Sequence, residues 1–148
     1  MKPTKYTYPA TLGYDEHSKH YYVLFPDLPG CTTTGDREDE AVRNAHEAMS
    51  LHLYSMEEDG DEIPPPSPII GTKHDDNEAV ILVEAIMPSF REKMETKAIS
   101  RTVTLPAWLD REAKEAGLSY SQILQDGIMQ RLRISRTTAR RRKTGILA

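Results

Sequence analysis

The chain has 148 residues, 38% of them hydrophobic, with 19 basic and 23 acidic side chains and a formal net charge of −4. That length allows one medium domain or two small ones with a modest core, and the single cysteine, Cys31, excludes an internal disulfide and fits a reducing compartment. No apolar run reaches the roughly 20 residues of a membrane span, and the polar stretch from Met1 to Tyr8 shows no signal peptide, so a cytoplasmic location is expected.

The net charge conceals an asymmetry. Residues 1–95 carry 8 basic and 19 acidic side chains, a net of −11, whereas residues 96–148 carry 11 basic and 4 acidic ones, a net of +7. An acidic front and a basic back point to two modules with different partners.

In chain order, residues 5–12 (KYTYPATL) read as a strand, and residues 20–25 (HYYVLF) as a second one rich in β-branched and aromatic residues. PDLPG (Pro26 to Gly30) ends that strand, because proline cannot donate to a ladder. A third short strand is expected at residues 31–34. Asp36 is the expected N-cap of a helix with Glu38, Asp39 and Glu40 in its first turn. Apolar residues then recur at Ala41, Val42, Ala45, Ala48, Met49, Leu53 and Met56, one buried stripe at helical spacing. This helix is expected to end near Glu57. IPPPSP (Ile63 to Pro68) is an extended polyproline stretch, residues 71–78 are a polar loop, and AVILVEAIM (Ala79 to Met87) is a hydrophobic strand. Residues 88–96 read as a linker or a short helical turn.

The first module, residues 1–90, is therefore β-β-β-α-β, an α+β domain with one helix packed on an antiparallel sheet. After a linker at 91–96, residues 97–134 form a second module. The segment Ser100 to Leu105 alternates, with Arg101, Val103 and Leu105 on the inward side and Ser100, Thr102 and Thr104 on the other. Pro106 suits the start of a helix whose face carries Leu109, Ala113 and Ala116, and Gly117 suits its C′ position. Ser119-Tyr120-Ser121-Gln122 matches a capping box for a second helix, with Ile123, Leu124, Ile128 and Leu132 as its apolar face. A lone strand with open edges and two helices of about ten residues need a second copy to complete strand pairing and core. Residues 135–148 are a basic tail suited to phosphate contacts or to a solvated, unstructured role.

The second module resembles the ribbon-helix-helix family of DNA-binding repressors, over about 36 residues. The resemblance rests on the alternating strand into Leu105-Pro106, on Gly117, and on Ser119, Ser121 and Leu124. It implies a homodimer or higher oligomer in which Ser100, Thr102 and Thr104 read bases in the major groove of operator DNA. It also implies that the helix start at Ser119, Tyr120 and Ser121 holds a phosphate, which helix-terminus geometry supports independently. Arg101, at an inward position where an apolar side chain is usual, is assigned a snorkelling or phosphate-contacting role. The short hydroxyls of the reading face bond several bases and so specify weakly. A module that only dimerises is the competing reading.

The first module resembles the HicB antitoxin family. The matching residues are Tyr22-Val23-Leu24-Phe25-Pro26-Asp27-Leu28-Pro29-Gly30-Cys31, then Thr34-Gly35-Asp36, the helix residues Glu40-Ala41, Asn44-Ala45 and Glu47-Ala48, and the exit Ile63-Pro64 with Pro66-Ser67. The resemblance implies a truncated RNase H-like fold, binding and neutralisation of a HicA-like toxin (a small basic RNA-cleaving protein), and repression of the chain's own operon. A strongly acidic domain suits a basic partner on electrostatic grounds as well. Tyr22, Phe25, Asp27 and Leu28 are the candidate toxin contacts, with a purely structural turn as the competing reading of that corner. The rival function is a ribbon-helix-helix regulator whose first module senses a small ligand.

No enzymatic activity, cofactor or metal is expected. An RNase H-type site needs carboxylates converging on Mg²⁺, but Asp15 and Glu16 lie in a turn, Asp36 to Glu40 line a helix start, and only Glu84 falls on a strand. His17 and His20 have a possible metal spacing but no cysteine partner nearby. His46 and His52 read as helix packing or surface residues, Cys31 as a small core residue, and Trp108 and Tyr120 as packing residues at helix starts.

Overall fold

A computed structural model of the protein describes residues 1–138. The element order is β1 (Lys5–Asp15), β2 (His20–Leu24), β3 (Thr32–Gly35), α1 (Glu38–Asp59), β4 (Ala79–Ile86), α2 (Met87–Thr96), α3 (Ala107–Glu115) and α4 (Tyr120–Arg131). The chain divides into two compact units, Met1–Arg91 and a second that begins at Glu92. Among the described residues no helix is long and apolar enough to cross a membrane.

In the first unit, the four strands form one antiparallel sheet in the order β3-β2-β1-β4. Strand side chains alternate between faces, and Tyr8, Ala10, Leu12, Val23, Val83 and Ala85 meet the buried stripe Ala41, Ala45, Met49 and Leu53 of α1. The stripe recurs every four residues, the spacing of one helix face. Phe25, Leu28 and Cys31, from the turn between β2 and β3, close one end of this core.

The entry to α1 differs from the sequence expectation. Arg37, not Asp36, is the N-cap, and no side chain caps it. The carboxylate of Asp36 instead pairs with His20 Nδ1 at 2.7 Å, and its N–H donates to Glu40 Oε2 at 3.2 Å. Gly35 passes so close to the helix that a Cβ there would lie 2.5 Å from the Ala41 nitrogen. The other end runs to Asp59, because Gly60 takes a left-handed conformation (φ 74°) and the N–H groups of Gly60 and Asp61 donate to the carbonyls of Glu57 and Met56.

The stretch expected as a linker is the helix α2. Met87 is fully buried at its start. Arg91 then clamps Glu57 of α1 with Nε and Nη2 at 2.8 and 2.6 Å and also donates to the Pro3 carbonyl at 2.7 Å. Tyr6 donates its hydroxyl to the same carboxylate at 2.9 Å. These partners are far apart in sequence, so no local pattern announces them. The Arg91 and Tyr6 donors hold the Glu57 carboxyl below its usual range against the opposing effect of burial, and burial together with Glu57 pushes Tyr6 up to about 12.

Both sheet edges are touched by α1. Asn44 Nδ2 donates to the Thr34 carbonyl of β3 at 2.9 Å, and His46 Nδ1 donates to the Glu84 carbonyl of β4 at 2.8 Å.

In the second unit, residues 97–106 carry no assigned secondary structure. The strand expected over Ser100 to Leu105 is therefore absent from the single chain, where a ladder has no second strand to form against. Arg101, Val103 and Leu105, expected inward, are exposed, as is Trp108. Gly117 has φ 67° and ends α3 as expected. Ser119 caps α4 by accepting from the Gln122 N–H at 3.4 Å, but Gln122 bonds Asp126 rather than returning to Ser119, so only half of the capping box forms.

The Glu57–Arg91 pair makes a pH prediction. A carboxyl whose folded pKa is depressed contributes stability that is present above its unfolded value of about 4.3 and is lost as pH falls through the folded value. Chemical denaturation followed from pH 7 to 3 should therefore show Glu57→Gln less stable than wild type at pH 7. The variant should also show a shallower loss of stability below about pH 4.3.

Candidate functional site

The sequence offers the corner after β2 as a partner contact through Tyr22, Phe25, Asp27 and Leu28, with a structural turn as the competing reading. Phe25 and Leu28 are 1% and 0% exposed, so their side chains serve the core and are withdrawn from the surface. That is a correction to their assignment as contacts. The turn is held by its own backbone: the Phe25 N–H donates to the Cys31 carbonyl, the Leu28 N–H to the Phe25 carbonyl, and the Cys31 N–H to the Leu28 carbonyl.

The other two side chains brace the unit. Tyr22 lies over Gly13, where any Cβ would collide with its ring, and donates its hydroxyl to Glu78 at 2.7 Å. That bond, ahead of burial, pushes the Tyr22 hydroxyl up to about 12. The Glu78 carboxyl is held below its usual range, first by the Asp75 N–H and then by Tyr22. Asp27 accepts from the N–H and the hydroxyl of Ser67 at 2.8 and 2.6 Å, fastening the polyproline stretch to the corner. Tyr8 fastens the same stretch from beneath by donating to the Pro64 carbonyl. An open cleft of about 600 Å³ lies beside this seam, lined among others by Asp27, His52, Met56, Asp61 and Glu62.

Several other chemistry-bearing residues are engaged in structural contacts or buried. Asp15 accepts from His17 N–H and Ser18 Oγ in the first turn. His20 is paired with Asp36, and the buried Cys31 thiol is pushed up to about 11 by desolvation, the opposite of an activated nucleophile. Among the described residues, no group of three or more His, Cys, Asp or Glu side chains is arranged to hold a metal ion.

In the second unit all seven candidate DNA-contacting residues, Ser100, Arg101, Thr102, Thr104, Ser119, Tyr120 and Ser121, are exposed. The hydroxyl of Tyr120 is committed to Asp110, donating to its carboxylate at 2.6 Å. The backbone amides of the first turn of α4 have no intrahelical acceptors, as at every helix start. Leu109, Leu118, Ile123, Leu124, Ile128 and Leu132 are also exposed, between 38% and 63%. Among the described residues of this unit only Ala113 is buried, and they leave the helix face expected to be a core uncovered.

The family model described as "HicB_like antitoxin of bacterial toxin-antitoxin system" matches residues 8–127. The chain belongs to that family. A 49-residue segment is 49% identical to an uncharacterized 14.9 kDa protein from the rep-hol intergenic region of Haemophilus phage HP1, covering 33% of this chain and 37% of the relative. A 62-residue segment is 39% identical to Antitoxin HicB 1 of Photorhabdus laumondii, covering 42% of this chain and 39% of the relative. The matched segments thus span well under half of these two relatives. Among solved structures, a chain of the toxin-antitoxin complex from Streptococcus pneumoniae is similar at 26% identity and a TM-score of 0.57, covering 86% of this chain and 99% of that one.

The geometry of the HicB-like corner predicts that Asp27→Ala releases Ser67. Loss of two hydrogen bonds to a partly exposed carboxylate should cost about 1–3 kcal/mol. Amide exchange at Ser67 should quicken while that of the β1–β2 ladder stays slow.

Proposed function

We propose that this chain is an antitoxin that binds and neutralises a small, basic, RNA-cleaving HicA-like toxin through its first unit. We propose also that it represses its own operon through its second. The observation that carries the first part is the family match across residues 8–127, and similarity to a chain of a toxin-antitoxin complex supports it. The charge of residues 1–95, net −11, suits a cationic partner: it raises the encounter rate and competes with RNA for the same basic surface. The site of action is the cytoplasm, where the toxin's RNA substrate resides.

The second unit supports the DNA role by two features. The alternating segment from Ser100 to Leu105 is extended in pattern yet unpaired, and the apolar face of α3 and α4 is uncovered. One event removes both costs, pairing of two copies strand to strand with their helices packed together. The paired strands then form a ribbon of the width that a major groove admits, with Ser100, Thr102 and Thr104 outward. Arg101 and the α4 start at Ser119 to Ser121 flank it as phosphate contacts. Bound toxin modulates the operator affinity, either through the avidity of linked dimers or by steric blocking.

The cleft of about 600 Å³ beside Asp27 and His52 favours one alternative, a DNA-binding regulator whose first unit takes a small ligand. Co-expression separates the two. The small reading frame encoded beside this chain should arrest growth when expressed alone, and this chain should restore growth and co-purify with its product. Absence of toxicity and of a complex would leave the regulator reading.

For the DNA role, Thr102→Ala combined with Thr104→Ala should weaken operator binding by at least about tenfold, with toxin binding unchanged. Unaltered operator affinity would remove these residues from the reading face. Raising salt from about 50 to 200 mM should lower wild-type affinity steeply, as phosphate contacts require.

A further inference from the structure

The outer edge of β4 is the longest uncovered run of strand backbone in the first unit. Which of its groups face outward follows from the register. The Met87 N–H donates to the Thr4 carbonyl at 2.9 Å, so this is a hydrogen-bonded pair. In an antiparallel ladder such pairs alternate, and the register pairs Ala85 with Tyr6, Val83 with Tyr8 and Ile81 with Ala10 as the next ones. The N–H and C=O groups of Val80, Leu82, Glu84 and Ile86 therefore point away from β1. The His46 contact to the Glu84 carbonyl confirms this parity and closes the edge at that residue. The opposite edge strand, β3, is four residues long and is met by Asn44. On the side of the His46 contact away from α2, the outward backbone groups of Val80 and Leu82 meet no further strand among the described residues.

The side chains of this stretch share the sheet face opposite α1. Leu82 and Ile86 are 58% and 55% exposed, and Leu24 lies exposed on the same face two strands away. Thr11, in register with Val80, holds a buried Oγ1 without a hydrogen-bond partner among the described residues. An unpaired stretch of strand edge flanked by exposed apolar side chains is an association site unless it is occupied.

We propose that the β4 edge at Val80 and Leu82 accepts a strand of a cationic protein, extending the sheet by β-augmentation; the proposal rests on the antitoxin reading and takes that partner to be the toxin. Main-chain hydrogen bonds from Val80 and Leu82 supply the pairing, and their apolar side chains supply the contact beneath it. Glu84 is paired with Lys5 at 2.9 Å and Glu78 accepts from Tyr22 and the Asp75 N–H, so the preference for a cationic strand comes from the net acidic charge of the unit as a whole. Charge argues against a second copy as the occupant. Residues 1–91 carry 7 basic and 17 acidic side chains, so edge-to-edge pairing would bring two strongly acidic units together.

The test uses the full chain and the protein encoded beside it. Because the Leu82 N–H points outward, Leu82→Pro removes a donor from the open edge without breaking the β1–β4 ladder. It should leave the melting temperature unchanged and weaken toxin binding by at least about tenfold. In the wild-type complex, amide exchange at Val80 and Leu82 should slow relative to the free chain. If Leu82→Pro lowers the melting temperature, Leu82→Lys, which keeps the backbone, takes its place beside the exchange measurement. A wild-type complex in which those amides stay unprotected, or which the stable variant forms at wild-type affinity, overturns the docking edge and leaves the antitoxin reading standing. Protection that grows with the concentration of the free chain overturns it in favour of self-pairing. Failure of the wild-type chain to bind the toxin at all overturns the antitoxin reading, and the occupant assigned here with it.

Discussion

Ala41, Ala45, Met49 and Leu53 press α1 against Tyr8, Ala10, Val23 and Val83 on one face of the sheet, and the rest of the first unit is arranged by that contact. Small side chains in the first two turns let the helix backbone approach the sheet, which is why Gly35 has no room for a Cβ. The longer Met49 and Leu53 fill the wider end. With the helix seated, residues that leave its flanks have fixed reach. Asn44 and His46 land on opposite sheet edges, and Glu57 meets Arg91 and Tyr6. Removing a buried leucine such as Leu53 from this contact would cost in the range of about 2–5 kcal/mol typical of core truncations, enough to threaten a domain of this size.

The same packing separates side chains that hold the fold from those free to meet partners. Phe25, Leu28 and Cys31 are spent on the core, and Tyr22 and Asp27 on braces to Glu78 and Ser67. The residues most characteristic of the HicB-like corner therefore build a rigid platform. The surface that the platform leaves open carries exposed apolar side chains such as Leu24, Leu82 and Ile86 within a strongly acidic unit, which is where the proposed recognition is assigned. Such a division suits an inhibitor: the frame stays constant while electrostatics speeds encounter and local contacts set the lifetime of the complex.

The second unit obeys a different constraint. Two helices of 9 and 12 residues expose one apolar face each, and Ala113 alone is buried between them. A unit so small has little area with which to bury its own hydrophobic face, which is the physical reason for the proposed pairing of two copies.

Local chemistry made much of this legible. The apolar stripe placed α1, the alternation and β-branched content placed the sheet strands, the prolines and Gly30 placed the corner, and Gly117 and Ser119 bounded α3 and α4. The family motif was readable because its residues are contiguous. Errors arose where tertiary contacts overrode local preference. Asp36 is a better cap than Arg37, but the close passage of Gly35 beneath Ala41 and the pairing with His20 move the helix start past it. Residues 88–96 lack a strong periodic signal, yet they form a helix whose start is anchored by buried Met87 and by Arg91 on Glu57. Phe25 and Leu28 fit both a partner contact and a structural turn in sequence, and only the closed turn shows that they point inward. The strand over Ser100 to Leu105 is absent from the single chain, because pairing is a property of two strands and alternation a property of one. The sequence by itself determined the α+β class, the acidic and basic halves and the family, since these depend on composition, spacing and contiguous motifs. The tertiary structure alone decided which side chains are buried and which strand edge is left open, since those depend on contacts between residues dozens of positions apart.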